Sequence, residues 1–190
     1  MKPLFIVLEA LDGVGKTTLA KGLAARLGGV AMNTPGEGLR AVSGQILDGL
    51  GPNQPARCLF YAGSVIARGE EARALVEGGQ TVVMDRYWLS TISYARARGV
   101  EAALDQVEAL VPAPDVTLLL TLDEEERQRR MQARGFTAAD RETLEPGFRD
   151  RVLLEMRRGD RRPELLPLDV DLSGGDPAEC IERVVRALSR

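Results

Sequence analysis

Leu4-Phe5-Ile6-Val7-Leu8-Glu9-Ala10-Leu11-Asp12-Gly13-Val14-Gly15-Lys16-Thr17-Thr18 is the stretch whose reading decides the fold. Leu4 to Leu8 is a continuous apolar run rich in branched residues, the pattern of a strand buried on both faces. After the glycines, Leu19, Leu23 and Leu27 recur along one face of a helix. Between strand and helix, Ala10 to Thr17 fits the Walker A pattern, with Ala in place of its first Gly. Each residue type there has a chemical reason. Gly13 and Gly15 let the backbone approach phosphate oxygens and aim consecutive N–H groups inward. The helix N-terminus adds partial positive charge. Lys16 can bridge the terminal phosphates of a nucleotide, and the Thr17 hydroxyl can ligate Mg²⁺.

Outward from this motif, strand-like and helix-like segments alternate. Gly28-Gly29 ends the first helix, and Val30 to Met32 is a second strand. Pro55 to Glu77 reads as a long helix closed by Gly78-Gly79. Thr81 to Met84 and Val116 to Leu122 read as further strands, and Asp123 caps a helix whose first turn holds Glu124, Glu125 and Glu126. Leu168 to Leu172 is a last strand, followed by a helix opening at Asp176-Pro177. Alternation of this kind implies an α/β fold: a parallel central sheet of about five strands with helices on both faces, the three-layer architecture of P-loop NTPases, in a single domain over 1–190. The segment 134–147 is charged, lacks a sustained apolar pattern and has Gly near each end, so it is expected to be a lid.

Bulk properties narrow the chemistry. The 190 residues are 44% hydrophobic and 28% charged with a net charge of -3, which excludes the basic footprint of a duplex-binding protein. The N-terminal apolar run is too short for a signal peptide and is broken by Glu9 and Asp12; no stretch has the length of a membrane span. A cytoplasmic protein is expected. Cys58 and Cys180 have no metal-ligand spacing and read as buried thiols. The chain has no histidine, so triads and histidine metal sites are excluded. Chemistry must run on Lys, Arg, Asp, Glu, hydroxyls and backbone amides.

A second constellation lies at Val82-Val83-Met84-Asp85-Arg86-Tyr87, just past a strand end, the edge where open parallel sheets bind ligands. Asp85 can hold Mg²⁺ through water, and Arg86 can bind a phosphate. Arg134, Arg141 and, behind them, Arg151 can close over a transferring phosphoryl group.

On these residues the chain resembles the thymidylate kinases, from first strand to last helix. Glu9 to Thr18 is similar to the family's acid-x-x-Asp-Gly-x-Gly-Lys-Thr-Thr loop. Pro35-Gly36, Leu59-Phe60 and Asp85-Arg86-Tyr87 with Ser90 and Tyr94 match family segments. So do Arg130, Arg134-Gly135, Asp140-Arg141, Phe148, Arg151 and Asp171-Leu172-Ser173-Gly174. The resemblance implies transfer of a phosphoryl group from ATP to a nucleoside monophosphate, dTMP to dTDP, with Mg²⁺. It implies that Asp12, Gly13, Val14, Gly15, Lys16, Thr17, Thr18 and Arg130 hold ATP, and that Thr17 and Asp85 hold the metal. It further implies that Arg86 binds the acceptor phosphate, Asp12 the sugar 3′-hydroxyl, and Phe60 the base. Ser64, Ser90 and Tyr94 would complete the acceptor site. Because the loop carries Gly13-Val14 and no arginine, the lid would supply the catalytic arginine, Arg134 or Arg141, as in one branch of the family. The resemblance also suggests a homodimer.

The departures fall mainly on the acceptor side. The family's Arg-Glu before Pro-Gly is Asn33-Thr34 here, with Arg40 the candidate substitute. Its base-reading arginine aligns with Ser64, a glutamine with Ala95 and a tyrosine with Met156. Two other readings are compatible with the motif. A deoxynucleoside kinase would need a carboxylate base beside a 5′-hydroxyl, for which Glu37 and Asp85 are the candidates. A nucleotide-binding module would bind without turnover. A GTPase is disfavoured, since no Asn-Lys-x-Asp segment is present.

Overall fold

A computed structural model describes residues 2–100, 104–159 and 166–188. Five strands, β1 (Phe5–Glu9), β2 (Val30–Asn33), β3 (Val82–Asp85), β4 (Val116–Thr121) and β5 (Leu168–Asp171), form one sheet in the order β2-β3-β1-β4-β5. Every pairing is parallel. β1, β3 and β4 occupy the middle, which is why their residues read as apolar runs: Phe5, Ile6, Val7, Leu8, Val82, Val83, Met84, Leu118, Leu119 and Leu120 are all buried. β2 and β5 form the edges and are partly exposed.

The helices are α1 (Lys16–Leu27), α2 (Glu37–Gly49), α3 (Gln54–Glu77), α4 (Trp88–Ala97), α5 (Leu104–Glu108), α6 (Glu124–Arg134), α7 (Ala138–Leu144), α8 (Pro146–Arg158) and α9 (Pro177–Leu188). α1 packs on β1, β2 and β3 and against α9; α3 packs on β1 and β3 and against α4, and α4 against α8. Local chemistry sets the boundaries. α1 begins inside the Gly-rich motif, because Gly15 has φ 100 and cannot continue a helix backwards. Asn53 caps α3 by accepting from the Ala56 amide, and Asp123 caps α6 by accepting from the Glu126 amide.

The structure departs from expectation in particular places. β3 starts at Val82; just before it, the Thr81 carbonyl accepts from the Val30 amide and its hydroxyl from the Leu4 amide. α2 is an addition to the elements read from the sequence; Leu39, Val42 and Ile46 recur at helical spacing, yet the helix buries no residue. The charged segment 134–147 contains α7, whose N-terminus carries a reciprocal cap between Thr137 and Asp140. Cys58 and Cys180 are free and buried. Among the described residues, no helix is long and apolar enough to cross a membrane.

Candidate active site

Two cavities open at the carboxyl ends of the strands. The larger, about 770 Å³, lies over the turn between β1 and α1 and runs to α9. Asp12, Gly13, Val14, Gly15, Lys16, Thr17 and Thr18 line it. Asp85, Arg130 and Arg134 face it, and its far end is walled by Leu19, Leu172, Pro177 and Ile181. The smaller, about 340 Å³, lies between α3 and α4 and is lined by Gln54, Arg57, Tyr61, Ser90, Tyr94 and Arg98 among others. Asp12, Thr34, Arg40 and Arg86 border both.

Lys16 is buried and donates to the Leu11 carbonyl at 2.7 Å. Burial, aided by the nearby Arg86 charge, lowers its pKa to about 8, against the pull of Asp12, Asp85 and Glu9. Thr17 donates its hydroxyl to Asp85 Oδ2 at 2.5 Å. The other carboxylate oxygen, Asp85 Oδ1, is buried without a hydrogen-bond partner. A buried orphan oxygen beside a hydroxyl fits a divalent cation that takes its remaining ligands from water and phosphate. Among the described residues no cluster of three or more Asp, Glu or Cys could hold a metal by itself.

Arg86 stands between the cavities. It donates to Asp12 Oδ1 at 2.5 Å and to the Ser90 hydroxyl at 3.0 Å, and its guanidinium lies 5.7 Å from the centre of the Tyr94 ring. Burial opposes ionisation of Asp12, but Arg86 and Lys16 outweigh it and hold the carboxyl at about 2. The charge on Arg86 is likewise disfavoured by burial, yet Asp12 drives its pKa up. Arg40 donates to Asn33 Oδ1 at 3.0 Å, so this basic residue borders both cavities from the start of α2.

The arginines of α6 divide the work. Arg130 donates to the Val14 carbonyl at 3.2 Å, and Arg134 pairs with Asp140 at 2.6 Å; both face the larger cavity. Arg141 is exposed on α7, and Arg151 lies over the Phe148 ring; neither lines either cavity. On α3, Phe60 and Ser64 line neither cavity. Phe60 packs edge-on against Tyr61, and the Ser64 hydroxyl donates to the Tyr61 carbonyl; Tyr61 is the aromatic residue of α3 that faces the smaller cavity, across from Tyr94 of α4. Glu37 lines neither cavity.

Sequence reasoning missed Arg127, which is 1% exposed. It donates to the Asp12 carbonyl at 2.9 Å, to the Thr143 carbonyl at 2.9 Å and to both Glu124 oxygens at 2.8 Å. It thus ties the phosphate-binding turn to α7. Its sequence context, one arginine among several on a charged helix, carried no sign of burial. Glu9 was also passed over as a functional side chain.

A phosphate-cradling loop, an acid at the neighbouring strand end and an arginine between two cavities define a P-loop nucleoside monophosphate kinase. Comparison with known proteins makes the class specific. The family model described as thymidylate kinase matches residues 8–158. The thymidylate kinase of Rhizorhabdus wittichii is 32% identical over 201 residues, covering 97% of this chain and 96% of that one. The probable thymidylate kinase of Pyrococcus abyssi is 34% identical over 152 residues, covering 71% and 73%. In fold, the thymidylate kinase of Candida albicans superposes with a TM-score of 0.75 at 19% identity, covering 99% of this chain and 92% of that chain. That of Ehrlichia chaffeensis gives 0.70 at 22%, covering 99% and 100%. The chain belongs to the thymidylate kinase family, ATP-dependent enzymes that phosphorylate dTMP to dTDP.

Proposed function

We propose that this enzyme works by holding ATP in the larger cavity and dTMP in the smaller, with the phosphoryl group passing beside Asp12 and Arg86. The observation that carries this reading is that the two cavities share Asp12, Thr34, Arg40 and Arg86 and little else. A transfer needs donor and acceptor phosphates to meet in line, and these residues stand where they would meet. The loop amides and Lys16 take the β- and γ-phosphates of ATP. Arg86 and Arg40 take the acceptor phosphate. Arg134, with Arg130 beside it, offsets charge on the transferring group; Arg134 is favoured over Arg141 because it faces the donor cavity.

Thr17 and Asp85 would hold Mg²⁺, which when bound neutralises phosphate charge. The acceptor needs no general base, since a phosphate monoester is largely dianionic at neutral pH, its second pKa being about 6. This suits a chain without histidine. Glu37, one of two carboxylates a nucleoside kinase could have used, lies outside both cavities, and the other, Asp85, is engaged with Thr17 on the donor side.

ADP release measured over a panel of nucleoside monophosphates and nucleosides tests the reading. dTMP should drive it and thymidine should not. Release driven by nucleosides alone would overturn the monophosphate acceptor.

A further inference from the structure

We propose that Glu9, the last residue of β1, is the positioning residue that aims Arg86, acting through the hydroxyl of Ser90. The proposal rests on the reading of Arg86 as the acceptor-phosphate arginine. Glu9 is fully buried and lines neither cavity, so it touches no substrate. A carboxylate in such a place is costly unless its oxygens are satisfied. Here they are, and all by the segment that follows Arg86. Oε1 accepts from the Tyr87 amide at 2.9 Å and from the Ser90 amide at 3.0 Å; Oε2 accepts from the Ser90 hydroxyl.

These bonds have two consequences. The first concerns the backbone. Tyr87, at the N-cap of α4, makes no side-chain cap of its own, so Glu9 supplies the cap from the neighbouring strand. Arg86 just before it has φ 65, a left-handed conformation that a side chain with Cβ rarely adopts. Such a residue keeps its conformation only when its surroundings hold it. Three groups do so: the Arg86 amide donates to the Leu8 carbonyl at 3.0 Å, its carbonyl accepts from the Thr34 hydroxyl at 3.1 Å, and Glu9 pins the next residue.

The second concerns the proton on Ser90. A serine hydroxyl has one O–H to give. An ionised carboxylate only accepts and a guanidinium only donates, so Ser90 must give its proton to Glu9 and turn its lone pair toward Arg86. That fixes one arm of the guanidinium, and Asp12 fixes the other. The guanidinium is thereby held at the border of the two cavities, where the acceptor phosphate is proposed to sit. Burial raises the pKa of Glu9, and the bonds from Ser90, the Arg86 charge and the Tyr87 amide oppose the rise.

Steady-state kinetics with dTMP, ATP affinity by calorimetry and thermal melting test this on Glu9→Gln and Ser90→Ala. Each is made alone and in an Arg86→Ala background. Each single change should lower kcat/KM for dTMP about tenfold, the worth of one charge-assisted bond, with ATP affinity held within about twofold. In the Arg86→Ala background neither should cost anything further, because nothing is left to aim. If the penalties persist there, Ser90 and Glu9 act independently of Arg86 and the relay is wrong. A lowered melting temperature with unchanged dTMP kinetics would make Glu9 a helix cap only and also overturn it. Should Glu9→Gln fail to fold, Ser90→Ala decides, since it leaves both amide bonds to the carboxylate in place. Should Arg86→Ala itself leave dTMP kinetics untouched, the acceptor reading fails and the relay falls with it; that result is distinct from failure of the relay alone.

Discussion

Arg86 and Asp12 form an ion pair of 2.5 Å where the larger and smaller cavities meet. Both side chains are about one-quarter exposed, so the pair is shielded from bulk water yet open to a ligand from either side. Asp12 belongs to the turn after β1 and Arg86 to the turn after β3, which are neighbours in the sheet. The sheet order therefore brings these two turns together.

Arg86→Ala should separate binding from turnover. The arginine is held by Ser90, which lines the smaller cavity, and by Asp12, which borders both, whereas the proposed ligands of the nucleotide's terminal phosphates are the loop amides and Lys16. kcat/KM for dTMP should drop about a hundredfold, while ATP affinity changes by no more than about twofold. Steady-state kinetics beside direct ATP titration measures both. Equal losses would assign Arg86 to the donor.

Lys16 gives ATP binding a pH dependence. Its pKa in the free protein is lowered from 10.5 to about 8, chiefly by burial. As pH rises through about 8 the ammonium is lost from the unliganded site, so ATP affinity should weaken above that value. The sign for folding is opposite. Between about 8 and 10.5 the unfolded chain holds the proton that the folded chain has released. The contribution of this lysine to stability therefore rises with pH in that window. Calorimetric titration with ATP and urea unfolding at pH 7 to 10 would register the two trends; a Lys16→Met protein should show neither.

Asp85→Asn should act through the metal. The substitution keeps an acceptor for the Thr17 hydroxyl but removes the charge from the orphan oxygen. The Mg²⁺ concentration needed for half-maximal turnover should climb about tenfold or more, with melting temperature nearly unchanged. An unchanged Mg²⁺ requirement would remove Asp85 from the metal site.

The donor half of this site was legible because its signals are local. An apolar run, a glycine spacing and a leucine stripe are all short-range patterns, and β1, the loop and α1 follow from them. The acceptor half depends on helix phase and on burial of charge, which sequence does not display. A one-residue difference on α3 separates Phe60, packed on its neighbour, from Tyr61, which faces the cavity. Arg127 looks like any surface base, and Glu9 stands in the sequence only as the acid that opens the loop pattern, yet both are buried. α7 did leave a mark: Thr137 and Asp140 have the spacing of a capping box, hidden within a charged stretch that reads as loop.

Gly13 offers a final test, because two separate demands fall on it. Its φ of +89 is one that side chains with Cβ rarely adopt. A Cβ there would also lie 2.7 Å from Met131 Cγ and 3.1 Å from Arg127 Cγ. α6 therefore packs directly on the turn after β1, and the glycine is required by that contact as well as by its backbone conformation. Gly13→Ala should cost about 1–2 kcal/mol for the backbone and about 1–3 kcal/mol for the clash. ATP affinity should fall as well, since the turn must shift to relieve the overlap. Adding Met131→Ala to this variant removes the neighbour at 2.7 Å while the φ of +89 remains. Measured against Met131→Ala alone, the Gly13→Ala step should then lose only its backbone part in thermal melting. If that step costs as much without Met131 as with it, the Met131 contact contributes nothing, and the cost lies with the backbone and with Arg127 Cγ at 3.1 Å.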